Sequence, residues 1–553
     1  MRCRFSSLSR GYRPLWWPPL ILVALVLLGC DEQPKDAGIQ DRRQEVSEAM
    51  APQVQVEQTV ITGSRDALGT VSFLGIPFAE PPIGKARWQR PEPYAFNAAS
   101  LDATAFAPAC MQSGSGLNWY HGMMERVGVD PSLMAGPEYA EDCLYLNVWT
   151  ELHDARDATS SPAHEQPGHP PHGDQGLRPV LIFIHGGSNT GGWSYEPNYH
   201  GGPLARKGAV VVTVAYRLGV FGWMNHPEMT ARNLALHDLT LALDWVHTHI
   251  AKFGGDPERI TVSGESAGAA NALHLAISPL SDSKISGLIH QSGGWPVVGG
   301  PTPAEAEARA LQLQQTLLGP GGNLEGLRSV SAQKLMEVSG DIYAGMRFGA
   351  IQDAESLPRT LQQQVADGDL PALDIVIGTN ANESLMYIKP GATNATYLEG
   401  RVPTERWPDV LAAAGGDLDQ TALFDRLGTA VTFLCPSLTL ANAVTSAGGR
   451  AFVYRFDRVR PGFDSIGAYH GAELPYVFDR HDSWLPTESV DRTLTRLMLD
   501  YWQGFITEGD PNSSDLMVWP PWQSGDHQAV IFSEESSVMP HPDVEFCSVF
   551  SDS

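Results

Sequence analysis

The part of this chain best suited to chemistry is Gly264-Glu265-Ser266-Ala267-Gly268. Residues 259–263 (RITVS) read as a strand, and the small-residue run AANALHLAIS that follows reads as a helix. A serine between glycines at a strand-to-helix turn has the form of a nucleophile elbow: the glycines let the turn tighten, the hydroxyl stands clear, and the next amide stays free. A serine hydroxyl is a poor nucleophile unless a base takes its proton and an acid orients that base. Where the nucleophile sits on such an elbow, the acid and then the base come later in the chain. Glu383, in GTNANES after the strand-like stretch 374–377, fits the acid, and His470, in AYHGAE on a turn, fits the base. With 17 histidines present, composition does not select one. Taken singly, Glu383 and His470 read better as ordinary surface or core polar residues than as catalytic ones.

The elements around these residues are expected to hold them on a sheet edge. Residues 179–185 (PVLIFIH) and 209–216 (AVVVTVAY) are continuous apolar runs of the kind buried on both faces, and 141–150 (EDCLYLNVWT) alternates like a half-buried strand. Residues 233–250 place apolar side chains at helical spacing. Buried strands alternating with amphipathic helices predict an α/β fold, a large mostly parallel central sheet with helices on both faces.

Composition narrows the field. The chain has 553 residues, 42% hydrophobic, with Lys+Arg 37 against Asp+Glu 63 and a net charge of −26. That apolar content supports a large core, and the acidic surplus argues against nucleic acid as a partner. The N-terminus carries Arg2, Arg4, Arg10 and Arg13 ahead of LILVALVLL, a basic region and then an apolar one too short to span a membrane comfortably. Leu27-Leu28-Gly29-Cys30 resembles a lipobox, so residues 1–29 are read as a lipoprotein-type signal peptide, Cys30 as the acylated residue, 30–58 as a polar tether and 59–553 as the catalytic domain. An ordinary signal peptide or an uncleaved anchor are the alternatives. Each exports the chain, to a bacterial cell envelope or periplasm if lipid-anchored, or to the medium if secreted. The loop 151–178 holds His153, His164, His169 and His172, whose irregular spacing beside Pro and Gly reads as an insertion rather than a metal site. Of six cysteines, Cys110, Cys143, Cys435 and Cys547 remain once Cys3 and Cys30 are set aside; none has a CxxC or CxxH neighbourhood, which argues against zinc, and export makes disulfides plausible.

Six ordered stretches resemble the type-B carboxylesterases, the cholinesterase and para-nitrobenzyl esterase family of the α/β-hydrolase fold: FLGIPFAEPPIG at 73–84, EDCLYLNVW at 141–149, HGG at 185–187, FGGDPERITVSGESAGA at 253–269, GTNANES at 378–384 and YHGAELPYVF at 469–478. The resemblance implies Ser266 as nucleophile, Glu383 as acid and His470 as base, with backbone amides of Gly187, Ser188 and Ala267 as the oxyanion hole. Ser188 stands where the family usually has Gly or Ala. Glu265 resembles a carboxylate that tunes charge near the site, and Ser292 a serine that supports the acid. The same resemblance pairs Cys110 with Cys143 and Cys435 with Cys547. It implies no metal and no organic cofactor, and it leaves the oligomeric state open. The activity implied is hydrolysis of small carboxylic esters through an acyl-enzyme, with thioesters or activated amides as related substrates and a non-catalytic adhesion or binding domain as the rival class. Cholinesterases stack a cationic substrate on a tryptophan ten positions before the cysteine of EDC; here that position is Leu133, and Trp119 is not expected to replace it, so neutral esters are the expected substrates.

Overall fold

The computed structural model describes residues 51–152, 176–415 and 417–551. The readings that fall on residues 1–50, including the signal peptide and Cys30, lie outside the described residues, as do the four histidines between 153 and 175.

An 11-stranded sheet organises the chain. Its strands are β1 (Ser64–Arg65), β2 (Val71–Pro77), β3 (Tyr145–Thr150), β4 (Arg178–Ile184), β5 (Val210–Val214), β6 (Gly255–Glu265), β7 (Gly287–Gln291), β8 (Ile375–Asn380), β9 (Ala451–Phe456), β10 (Gln528–Phe532) and β11 (Ser537–Pro540). Across the sheet they lie in the order β11-β10-β9-β8-β7-β6-β4-β5-β3-β2-β1. Strands β4 to β10 are parallel, and the antiparallel pairings lie towards the two edges.

The continuous apolar runs are explained by cover on both faces. Val180, Ile182 and Ile184 of β4, with Val210, Val212 and Val214 of β5, join one cluster with helices α1 (Leu234–His249), α2 (Ala267–Ile277) and α3 (Cys435–Ser446). Leu181 and Phe183 of β4 and Val211 of β5 join a second cluster with α4 (Ser489–Glu508). Side chains alternate along a strand, so a strand covered on both sides has no polar position to spare. Helix α3 continues, through a π-turn at Ala430–Leu434, from a helix at Gln420–Thr429. This long apolar element is mostly buried within the fold.

The folded domain begins earlier than residue 59. Gln53–Val56 pairs antiparallel with Thr59–Thr62, and Val54 and Val56 point inward. Residues 51–58 therefore belong to the domain and not to the tether; QVQV is polar on average but alternates, which is what a half-exposed strand requires. Cys110 is bonded to Cys143 and Cys435 to Cys547, the pairing implied by the resemblance.

Candidate active site

Chain order reverses in the sheet at β4, which has β5 on one side and β6 on the other. Ligand sites of open α/β sheets form at such a switch point, beyond the carboxyl ends of the strands. The loop at 185–192 leaves β4 there, Ser266 follows β6, Ser292 follows β7 and Glu383 follows β8. His470 comes from the segment after β9.

Ser266 has φ 56° and ψ −126°, a conformation that costs a non-glycine residue energy and persists where the surroundings enforce it. Its amide donates to the Gln291 carbonyl at 2.8 Å, and its carbonyl accepts from the Ala270 amide at 3.1 Å, which tie the turn to β7 and to the first turn of α2. The two glycines of the motif are required by close approach. A Cβ at Gly264 would stand 2.3 Å from the Gly268 carbonyl carbon, and one at Gly268 would stand 2.0 Å from the Ile184 carbonyl oxygen.

Glu383 is fully buried and accepts three hydrogen bonds: from Ser292 Oγ at 2.5 Å, from the Asn380 amide at 2.7 Å and from His470 Nδ1 at 2.6 Å. The Nδ1 bond leaves the other imidazole nitrogen as the acceptor towards the cavity. Glu265 Oε1 stands 3.2 Å from His470 Nε2, within ion-pair range but without hydrogen-bond alignment. Burial alone would lower the His470 pKa, but the carboxylates of Glu265 and Glu383 outweigh it and hold the imidazolium above its ordinary range. Burial raises the Glu265 pKa; the charge of His470 opposes this, while Glu473 and Glu383 add to it. Glu473, fully buried, accepts from Asn380 Nδ2 at 2.6 Å and Gln291 Nε2 at 2.9 Å, and burial raises its pKa too. Sequence reasoning assigned no role to Glu473, although it lies only three residues after His470 in a quoted motif.

Ser266 and His470 line one cavity of about 240 Å³. Among the described residues Ser266 Oγ makes no hydrogen bond, a looseness common before substrate is bound. Gly187 and Ser188 line the same cavity with positive φ values, 94° and 57°, and among the described residues their amides donate to no backbone carbonyl. Asn189 pins this loop, accepting from Asn271 Nδ2 at 2.7 Å and donating to the Phe348 carbonyl at 3.0 Å. Ala267 opens α2, where a first-turn amide has no partner within the helix.

The far wall differs from expectation. Trp119, on the helix Ser115–Arg126, lines the cavity together with Tyr387, whereas Leu133 is 77% exposed and absent from the wall. An aromatic face is therefore present, supplied by a different turn of the Cys110–Cys143 loop from the one that counting back from EDC indicates. Glu196 also lines it, accepting from Tyr120 Oη at 2.9 Å and the Trp193 amide at 3.1 Å, its pKa pushed up to about 7 by burial.

A strained serine at the carboxyl edge of a mostly parallel sheet, beside an imidazole bonded to a buried carboxylate, defines an enzyme of the α/β-hydrolase class. Residues 50–405 and 416–549 match the model of the carboxylesterase family. The chain belongs to that family and is a carboxylic ester hydrolase. It is 32% identical over 489 residues to the fumonisin B1 esterase of Sphingopyxis macrogoltabida, covering 82% of this chain and 81% of that protein. It is 28% identical over 504 residues to the para-nitrobenzyl esterase of Bacillus subtilis strain 168, covering 86% and 94%. Among solved structures, a thermophilic para-nitrobenzyl esterase superposes with a TM-score of 0.75 at 26% identity, and a carboxylesterase of Geobacillus stearothermophilus with 0.74 at 27%; each match covers 90% of this chain and 99% of the other.

Proposed function

We propose that this chain hydrolyses neutral carboxyl esters through an acyl-enzyme. The observation that carries the reading is the 2.6 Å bond between Glu383 and His470 Nδ1, which turns the imidazole towards the cavity that holds Ser266. His470 Nε2 takes the Ser266 proton as Oγ attacks the ester carbonyl carbon. The carbonyl oxygen then carries negative charge, which the amides of Gly187, Ser188 and Ala267 stabilise. Collapse of that intermediate expels the alcohol with the proton from His470, and a water activated by the same base releases the acid and restores Ser266. Glu383, held by Ser292, keeps the imidazole in the tautomer that this cycle needs. Glu265 faces His470 and Glu196 accepts from Tyr120 Oη and the Trp193 amide, so both carboxyls are already engaged and offer a cation little further attraction. Trp119 and Tyr387 supply apolar surface for an alcohol or acyl group.

An organophosphonate probe tests the chemistry: labelling at Ser266, lost in Ser266→Ala together with nearly all turnover of a nitrophenyl ester, is the expected result. A Ser266→Ala variant that keeps most of its turnover rejects the assignment, and a folded wild-type protein that takes no label favours a binding domain. Comparison of kcat/KM for acetylcholine and its uncharged dimethylbutyl analogue tests the substrate class; a strong advantage for the cation would overturn the preference for neutral esters. We also propose export with Cys30 acylated, which expects a mature chain starting at Cys30 and partitioning with membranes; a mature N-terminus elsewhere by mass spectrometry rejects it.

A further inference from the structure

A second cavity, of about 770 Å³, shares no lining residue with the one over Ser266. Its volume falls in the range of sites that hold small organic ligands. Three guanidinium groups border it, those of Arg309, Arg347 and Arg401, against the single carboxylate of Glu305. Glu305 is already engaged, its Oε2 accepting from the Thr302 amide at 3.0 Å and from Thr302 Oγ1 at 2.7 Å at the start of a helix. None of the three arginines is ion-paired among the described residues.

Two of these guanidinium groups are oriented by carbonyls: Arg309 Nη1 donates to Ile342 at 2.8 Å, and Arg401 Nη1 donates to Tyr397 at 2.9 Å. Each keeps further N–H groups unspent. Among the described residues Arg347 donates to no protein acceptor; its Cζ stands 4.8 Å over the ring of Trp295. A guanidinium stacked on an indole is held by its face, which leaves its donor edge free for a planar anion. The protein around Arg347 lowers its pKa and the charge of Arg401 adds to this, while both side chains remain exposed, so the repulsion between them is partly screened by solvent. A carboxylate would relieve that repulsion and use the donors. The whole chain carries −26, but beyond a Debye length of about 8 Å that charge is largely screened, and the local cluster governs what enters. Val298, Val431 and Phe550 give the same cavity an apolar side.

We propose that this cavity is a second ligand site, which takes an organic carboxylate with an apolar body: the carboxylate on Arg347 and Arg401, the body against Val298, Val431 and Phe550. The site goes beyond the acyl-enzyme reading and does not depend on it. It touches the reaction centre through two rings, since Trp295 meets Phe433 edge-on at 5.9 Å and Phe433 lies 4.8 Å from the His470 ring. An occupant that moves Trp295 therefore bears on the base.

Isothermal titration of the full chain with octanoate, octanol and inorganic phosphate tests this. Saturable octanoate binding is expected, with octanol and phosphate each weaker by about tenfold or more, since one lacks the charge and the other the apolar body. Arg347→Gln and Arg401→Gln, on separate segments, should each weaken octanoate by about tenfold or more, with unchanged thermal melts showing that the fold is kept. Arg347→Lys keeps the charge but loses the stacked fork and should fall between. No octanoate binding to the wild type, or equal binding to wild type and both Gln variants, overturns the proposal. Phosphate binding as tight as octanoate also overturns it, by showing a charge cluster without an apolar subsite.

Discussion

Replacing Glu265 by glutamine removes a charge 3.2 Å from His470 Nε2 while keeping the size of the side chain. Two unit charges at that distance attract by about 5 kcal/mol at an effective dielectric constant of about 20. The full amount cannot appear as a shift of one pKa, because burial and the neighbouring carboxylates also raise the pKa of Glu265, and the two groups titrate together. A change of about 1–3 pH units is what an opposite charge at such range ordinarily produces. The direction follows from the chemistry. Glu265 favours the imidazolium, the base works only as neutral imidazole, and kcat/KM therefore rises with pH through a pKa held above the ordinary histidine value. In Glu265→Gln the imidazolium is less stable, so the acid limb of kcat/KM moves to lower pH and the variant gains on the wild type in mildly acidic solution. The assay is a pH profile of kcat/KM for a neutral ester, with acid release followed chromatographically so that the readout does not itself titrate. An acid limb at the same pH in both proteins would refute the reasoning, as would a limb moved upwards.

Ser292→Ala removes one of the three donors to buried Glu383, an expected loss of about 1–3 kcal/mol that should lower kcat by about 10- to 100-fold with KM little changed; a wild-type kcat would show that the Asn380 amide and His470 suffice. The two disulfides close sequence separations of 33 and 112 residues, for which the chain-entropy model gives about 4 and 5 kcal/mol, so Cys435→Ala with Cys547→Ala should lower the denaturant midpoint at least as far as Cys110→Ala with Cys143→Ala. Midpoints unchanged by either pair would contradict that. Gly268→Ala drives a Cβ to 2.0 Å from the Ile184 carbonyl oxygen and should cost about 3 kcal/mol or more along with the activity, whereas a stable, active Gly268→Ala protein would mean that the turn is looser than described.

What could be read from the sequence was what local spacing controls. GESAG between a strand and a helix, the apolar runs of β4 and β5, and the helix over 234–249 depend on neighbours in the chain, and the structure has them within a few residues of the expected places. Cover on both faces, and hence the parallel sheet, followed from those runs. The cavity wall was not legible in this way. Trp119 reaches it because the helix Ser115–Arg126 folds back inside a disulfide-closed loop, and counting residues from a cysteine cannot anticipate how a loop turns. Phe433 meets His470 from a π-turn, an irregularity that leaves no composition signature. Glu473 stood in plain view three residues after His470, but its burial beside two other carboxyls is a property of the packing. The start of the domain was misplaced because average polarity was weighed where alternation over four residues carried the message.

The two faces of the central strands have a further consequence for how pairing register is chosen. Where one face is wet, a slip by one residue turns apolar groups outward, and polarity forbids it. In β4 and β9 polarity has little such veto, because both faces are covered. Size takes its place. In β9 one face carries Ala451 and Val453 while the other carries Phe452, Tyr454 and Phe456, and in β4 Phe183 lies on the face opposite Ile182 and Ile184, whereas β5 and β8 put the aliphatic Val211 and Val376 on that second face. A slip by one residue would push rings into the space shaped for branched aliphatics and leave gaps where rings had been, a mismatch that close-packed interiors penalise at every layer. Alignment of these strands is thus written in side-chain volume, and libraries that hold hydrophobicity constant while shuffling Phe with Val across the sheet would scramble it.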